Sequence, residues 1–329
     1  MALLDLRTST GFDTKNSNVT IITCLQRLAE ESDGVRATSF QKAVKALQNY
    51  AGGEITSGAM AKKEIPGIGK GIADRIDEIL ASGTLKEFRP LTAQDKTIQD
   101  LCTVTGIGAV RAKKLVELYG ITGVPDLIEK YKTGVIGVKP NALTHHIVVG
   151  LRFYYDLMER FPRAEAVNLI QKLKTGISAV DTTLLVIPCG SFRRGLPTCG
   201  DLDVLLSHPN GGDAKILPKV VDRLTRDEFL VGSLTNEGLT KYMGVCQGSK
   251  GGRRIDIRYI DYASLGAAQL YFTGSRTFNI LMRNVAIKHG YSLNEYGLWQ
   301  NEVLIPAHSE GDIFSRLNLV YIPPEERDF

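Results

Sequence analysis

Between Asn18 and Gln48 the apolar positions Ile21, Leu25 and Leu28, then Phe40, Val44 and Leu47, recur three or four residues apart. That spacing holds each set on one helical stripe, and Ser32-Asp33-Gly34 breaks the run with turn chemistry, so two amphipathic helices are predicted. A third is predicted after the segment IPGIGKG, where Ile72, Ile76, Ile79 and Leu80 share a face until Gly83 stops it. The segment VTGIGAVRAKKLVELYGI repeats this design, with Gly106 where the first copy has Gly67, Val110, Leu115 and Leu118 apolar, and Arg111, Lys113 and Lys114 expected to be exposed. The front half of the chain therefore reads as helical.

After Phe161-Pro162 the period changes. TTLLVIPCGS, DLDVLLSHP, LTKYMGVCQ and RRIDIRYI are short apolar or β-branched runs closed by Gly, Pro or Asn, the pattern of strands. VVDRLTRDEF reads as a covering helix, GAAQLYFTG and RTFNILMRNVAIKHG as two more helices, and the stretch from Trp299 to Pro306 as short strands. Helices first and a mixed sheet later predict an α+β fold of several subdomains.

Composition narrows the classes. The chain has 329 residues, 43% hydrophobic and 23% charged, an ordinary globular balance. A net charge of +4 permits a nucleic-acid partner without requiring one. Five scattered cysteines (Cys24, Cys102, Cys189, Cys199, Cys246) include no C-x-x-C pair, which argues against a zinc site or a disulfide framework. No run approaches the roughly 18 apolar residues of a membrane span, and the first fifteen residues, with Asp5 and Asp13, predict no secretory address.

Two patterns carry chemistry. A Gly-x-Gly turn at a helix start leaves backbone N–H groups pointing outward, with no Cβ to block a phosphate oxygen. Alone it is equally a tight inter-helix turn. Two copies, Gly67/Gly69 and Gly106/Gly108, each preceded by an apolar residue and followed by a basic helix, point to backbone phosphate. In GDLDVLL, Asp201 and Asp203 lie two apart, so in a strand both carboxylates leave one face. RRIDIRYI repeats the logic, with Arg254, Asp256 and Arg258 on one face and Ile255, Ile257 and Tyr259 on the other. Such alternation also suits a solvated strand edge. The flanking Gly190-Ser191, Arg194 and Gly200 favour a nucleotide site: an anion-binding turn beside three acids that repel one another unless divalent cations neutralise them.

With GSFRRGLPTCGDLDVLLSHP, RRIDIRYI, YFTGSRTFNILMR and both glycine hairpins in this order, the chain closely resembles the family X DNA polymerases from about residue 18 to YIPPEERDF. The resemblance implies an N-terminal helical lyase-type domain with the first helix-hairpin-helix (1–90) and a duplex-binding helical subdomain with the second (91–152). A catalytic palm of the nucleotidyltransferase type (153–264) and a small α+β C-terminal subdomain that binds nucleotide (265–329) follow. By the same resemblance Asp201, Asp203 and Asp256 hold two Mg²⁺ (or Mn²⁺) ions and carry catalysis. Gly190, Ser191, Arg194 and Gly200 hold the triphosphate. Tyr271, Phe272 and Gly274 line the sugar, and Asn279 reaches the incoming base. Arg276, over that base, is unlike its family counterparts and implies a base contact, a phosphate contact or a solvent-facing side chain. Lys241, Arg254 and Arg283 contact DNA in the palm and C-terminal regions, and Arg36, Lys42 and Lys70 in the lyase-type domain. Arg258 exchanges between Asp203 and Glu295–Tyr296 as the protein opens and closes, or is a static salt bridge. Carbonyls of Lys63, Ile65 and Ile68, and of Cys102, Val104 and Ile107, hold Na⁺ or K⁺ at the hairpins.

One departure matters. Lyase-competent relatives carry a lysine nucleophile where this chain has Arg75, and a guanidinium is no usable amine. Weak or absent 5′-deoxyribose phosphate lyase activity is expected, with Lys62, Lys63 or Lys70 as substitutes. The leading expectation is a monomeric, template-directed polymerase filling gapped or nicked duplex DNA from dNTP, nuclear in a eukaryotic host and without a membrane. An untemplated terminal transferase, disfavoured by the short VGSLTNEGLTKYMG turn, and a catalytically silent DNA clamp are the alternatives.

Overall fold

The computed structural model describes residues 17–328, except 33, 49, 51–52, 89–91, 139–141 and 212–214. The reading of residues 1–15 and the place of Asp33 in the first predicted turn lie outside the described residues. The chain packs as two units: Met1–Pro90 with Arg276–Gly290 and Leu317–Val320, and Leu91–Ser275 with Tyr291–Arg316 and Tyr321–Phe329.

In the first unit the predicted helices form at Ser17–Glu31, Gly34–Gln48 and Lys70–Ser82, with a shorter one at Gly58–Glu64. Their apolar stripes meet in one core of Ile21, Leu25, Leu28, Phe40, Val44, Leu47, Ile76 and Ile79. The two hairpin helices approach closely because Gly58 has no side chain: a Cβ there would lie 2.0 Å from the Ala73 carbonyl oxygen. Asp77 accepts the Gly58 N–H at 2.6 Å and locks the approach. Gly83 ends the third helix in the left-handed region, at φ 73°, as its position after the apolar run predicts. The helix Arg276–Lys288 belongs to this unit and buries Phe278, Leu281, Met282 and Ala286.

The second unit begins with helices Ala93–Leu101, Ala109–Tyr119, Val124–Lys132 and His145–Arg152, packed around Leu101, Val104, Ile107, Leu115, Leu127 and Ile147. Strands then follow: β1 (Phe161–Pro162), β2 (Leu185–Pro188), β3 (Thr198–Cys199), β4 (Leu202–Ser207), β5 (Leu230–Ser233), β6 (Lys241–Gln247), β7 (Gly252–Tyr259), β8 (Ser292–Asn294), β9 (Gly297–Gln300) and β10 (Val303–Ile305). The main sheet has the order β2-β4-β7-β6-β5, and only β4 and β7 pair in parallel. Helices Arg163–Ser178 and Ile216–Arg226 close its core. The second buries Ile216, Leu217, Val220, Val221 and Leu224 on one face, each contributing about 1.5–3 kcal/mol of burial.

Two details differ from the sequence expectation. β4 starts at Leu202, so Asp201 stands in the bend just before the strand rather than within it. The segment read as a short turn, 231–244, begins inside β5 and ends inside β6, β5 being too brief to show alternation; the connection from Ser233 to Lys241 is short, as expected.

Candidate active site

The palm acids are positioned by the sheet. Across the parallel β4–β7 pair, Asp203 lies directly opposite Asp256, and Leu202 opposite Ile255. Ile255, Ile257 and Tyr259 are buried while Arg254, Asp256 and Arg258 are half-buried, so the predicted alternation of β7 holds residue by residue. Gly190 closes the site from β2. It turns at φ +55°, and a Cβ there would stand 2.3 Å from Asp203 Oδ2, so the turn needs both the conformation and the bareness of glycine.

Burial, with the charges of Asp201 and Asp256 added, pushes the Asp203 carboxyl up to about 7. Burial raises Asp201 as well, with Arg254 opposing and Asp256 adding to the rise. In their present rotamers no three His, Cys, Asp or Glu side chains among the described residues group around one ion. Asp256 instead takes two long bonds from Arg254, 3.4 Å from Nε and 3.3 Å from Nη2. The donor chemistry still suits a hard divalent cation. Only carboxylate oxygens are offered, and two acids share one register position, a donor set of the kind hard divalent cations take.

The Gly190–Arg193 segment forms the expected short helical turn. Neither arginine that ends it is a loose surface charge. Arg193 donates to Glu310 through Nη1 and Nη2, both at 2.9 Å, and to the Thr273 hydroxyl at 2.6 Å. Arg194 donates through Nη1 to the Thr273 carbonyl at 2.7 Å and through Nε to Asp328 at 3.0 Å. Glu310, only 3% exposed, also takes bonds from Arg327 at 2.6 and 3.1 Å and from the Tyr321 hydroxyl at 2.9 Å. Burial alone would raise the Glu310 carboxyl; the bonds from Arg327 and Arg193 outweigh it and hold the group below its ordinary range.

Around this core, Tyr271 and Phe272 meet edge to face at 5.1 Å, and Phe272 packs on Cys189, Leu205, Ile260 and Ala268. Gly274 follows at φ 70°. Arg258 stacks its guanidinium 5.3 Å from the Phe272 ring centre, and its Nε has no hydrogen-bond partner among the described residues. Neither expected partner, Asp203 nor the Glu295–Tyr296 turn between β8 and β9, engages that nitrogen. Lys241 opens β6 directly opposite Arg258. Arg276, Asn279 and Arg283 lie on the helix of the first unit. There Arg276 lines a cavity of about 310 Å³ together with Asn18, Gln26, Tyr50 and Ile280.

Sequence reading overlooked Arg160. Its Nε and Nη2 hold Thr198 at 2.9 and 2.7 Å, and its Nη1 would be 3.2 Å from a Cβ on Gly200. It thus adds a cation beside the Gly200–Asp201 step, where, with Arg254, it works against the burial that raises the Asp201 carboxyl.

The hairpins match in backbone detail. Ile68 N–H donates to the Ile65 carbonyl and Ile107 N–H to the Val104 carbonyl, at 3.2 and 3.0 Å. Gly67 and Gly106 adopt φ 92° and 88°. Gly69 and Gly108 start the following helices without a side-chain cap, and space is open around both. Their first N–H groups suit an anion. The Lys63, Ile65 and Ile68 carbonyls, and those of Cys102, Val104 and Ile107, belong to these turns.

At the lyase-type position Arg75 is fully engaged. It donates to Glu87 at 2.6 and 3.3 Å and to the Gly71 carbonyl at 2.8 Å. Arg36 donates to the same Glu87 at 3.0 Å, and both guanidinium groups lie over the Phe40 ring, 5.5 Å away for Arg75 and 5.7 Å for Arg36. The Arg75 hydrogen bond is the main reason the Glu87 carboxyl is held below its ordinary range. Lys42 and Lys70 are exposed.

Comparison with known proteins covers most of the chain. The family model for the DNA polymerase beta palm matches residues 160–262, that for the DNA polymerase beta thumb 268–328, and that for a helix-hairpin-helix domain 16–85. The chain is 32% identical over 338 residues to DNA polymerase lambda of Rattus norvegicus, covering 95% of this chain and 57% of that protein. It is 28% identical over 344 residues to DNA polymerase lambda of Arabidopsis thaliana, covering 95% and 62%. To DNA polymerase IV of Saccharomyces cerevisiae it is 23% identical over 400 residues, covering 95% and 67%. The chain thus spans about three fifths of the two lambda polymerases.

Proposed function

This chain belongs to family X of the DNA polymerases, and from that footing we propose that it fills short gaps in duplex DNA, adding a template-directed nucleotide to a primer 3′-hydroxyl. The observation that carries this reading is the pairing of Asp203 with Asp256 across β4 and β7, beside a glycine turn moulded to the Asp203 carboxylate.

Asp201, Asp203 and Asp256 are the donors that would hold two Mg²⁺ or Mn²⁺ ions. When bound, such ions neutralise the transferring phosphoryl group and acidify the attacking hydroxyl. The chain's own groups do the rest. Ser191, Arg194 and backbone at Gly190 and Gly200 hold the β- and γ-phosphates, with Arg160 as a further cation at that end. Asp256 accepts the proton of the primer 3′-hydroxyl as its oxygen attacks the α-phosphorus and pyrophosphate leaves. Arg254, now on Asp256, moves to a primer phosphate. The Tyr271–Phe272 pair and Gly274 fill the space where a 2′-hydroxyl would sit. Asn279 and Arg283 serve the incoming base and the template strand, and Arg276 is free of both duties. Both hairpins hold backbone phosphate, with Na⁺ or K⁺ on their carbonyls, and residues 91–152 grip the duplex. The chain works as a monomer, in the nucleus of a eukaryotic host. No described helix is long and apolar enough to cross a membrane.

Lyase chemistry is missing from this reading, because Arg75 offers no amine and is tied to Glu87. Arg36 and Arg75, stacked on Phe40, present charge for a 5′-phosphate instead.

Primer extension tests the proposal. A one-nucleotide gap with a downstream 5′-phosphate should be filled far faster than a single-stranded primer is extended, and Asp256→Ala should abolish incorporation. Equal extension of single-stranded primer would favour the terminal-transferase reading. Incorporation untouched by Asp256→Ala would remove the site altogether.

A further inference from the structure

Arg194, the guanidinium assigned above to the triphosphate, already carries an anion of the protein's own. Its Nε donates to Asp328 at 3.0 Å, and its side chain is 14% exposed against 33% for Asp328. The contact is placed by what precedes it. Arg327 is fully buried, donates to the Ile322 carbonyl at 2.9 and 2.7 Å and to Glu310 at 2.6 and 3.1 Å, and so fixes the residue that follows. Two residues before Arg327, the Glu325 side chain would stand 3.4 Å from a Cβ on Gly195, in the turn next to Arg194. A carboxylate and a phosphate oxygen present the same chemistry to a guanidinium fork.

We propose that Asp328 is a positioning residue that acts as an internal stand-in for nucleotide phosphate: it holds Arg194 ready in the absence of substrate and is displaced when triphosphate arrives. This rests on the nucleotide-site reading above. An occupied site weakens apparent affinity by the fraction of molecules in which it is free. A partly exposed ion pair of ordinary strength leaves about one molecule in five free, so removing the carboxylate should tighten nucleotide binding about fivefold. The maximal rate, set by the acids, should move far less than KM.

The test uses the full chain in two assays. The first is calorimetric binding of inorganic tripolyphosphate to the DNA-free protein, which needs no polymerase activity. The second is the dNTP dependence of filling a one-nucleotide gap. Asp328→Ala should bind tripolyphosphate about fivefold more tightly and lower KM to match, whereas Asp328→Glu should stay near wild type. Glu325→Gln removes one negative charge beside the same turn without a bond to Arg194 and separates direct competition from general charge. Affinity of Asp328→Ala equal to or weaker than wild type would overturn the proposal, as would an equal gain in Glu325→Gln. Failure of the polymerase reading shows elsewhere, as wild-type protein that binds tripolyphosphate but fills no gap.

Discussion

Replacing Glu310 by Gln strips the charge from a carboxylate that takes bonds from Arg193, Arg327 and Tyr321, at distances from 2.6 to 3.1 Å. Arg327 has no exposed surface, and Arg193 retains 20% of its side-chain surface. With the carboxylate gone, two largely desolvated guanidinium groups face each other without counter-charge. Breaking a buried pair in this way costs about 3–5 kcal/mol, because the stranded charge cannot be rehydrated. That range applies to one stranded charge, and two place Glu310→Gln at its upper end. Urea denaturation monitored by circular dichroism measures the loss as a shift of the midpoint at constant slope. The pH dependence has a definite sign. Glu310 has a lowered carboxyl, so its stabilisation is present above the ordinary carboxylate range and lost as pH falls through the lower folded value. The gap between wild type and Glu310→Gln should therefore narrow on acidification. Replacing all three members with apolar residues should recover most of the stability, but not nucleotide affinity, since Arg193 and Arg194 adjoin. A loss under about 1 kcal/mol, the range of exposed pairs, would refute the reasoning.

Three other outcomes are expected. Because burial pushes Asp203 up from the ordinary carboxylate value of 3.8 to about 7, the ion-free protein should lose stability as pH rises from about 4 to about 7, by on the order of 1 kcal/mol per pH unit, and level off above that; calorimetry should show Mg²⁺ reversing the loss and Asp203→Asn flattening it, and a midpoint rising with pH across this window would contradict the assignment. Gly190→Ala forces a Cβ onto Asp203 Oδ2 at φ +55° and should cost about 2 kcal/mol while lowering gap filling at least tenfold, so near-normal activity of this variant would count against the turn. Borohydride trapping on an incised abasic substrate should give only background cross-linking with wild type and a clear adduct with Arg75→Lys; efficient wild-type trapping lost on changing Arg75 would contradict the reading.

The sequence was legible where a short-range pattern met a local structural need. The two glycine hairpins, the left-handed stop at Gly83 and the strict alternation of β7 are each written within a few residues. What stayed hidden depends on distant returns of the chain. Nothing local to Arg160 says that it comes back to Gly200, nothing local to Glu310 says that it sits between Arg193 and Arg327, and nothing around Glu87 says that it holds both Arg36 and Arg75. Single charges carry no period, so their partners emerge only from tertiary packing. The Arg193-Arg194 pair illustrates the limit: read alone it is a surface dipeptide, and only the fold turns the two side chains to separate carboxylates.

Asp203 and Asp256 are neighbours because of hydrogen bonds across β4 and β7, not because of the stretch of chain that joins them. That stretch passes through a helix and two strands before it returns, so the spacing of the acids follows the strand register rather than their distance along the sequence. Changes of length in that stretch that leave both strands intact should therefore keep the two acids side by side. A single-residue slip inside either strand would instead swap every inward side chain for an outward one and part the two carboxylates.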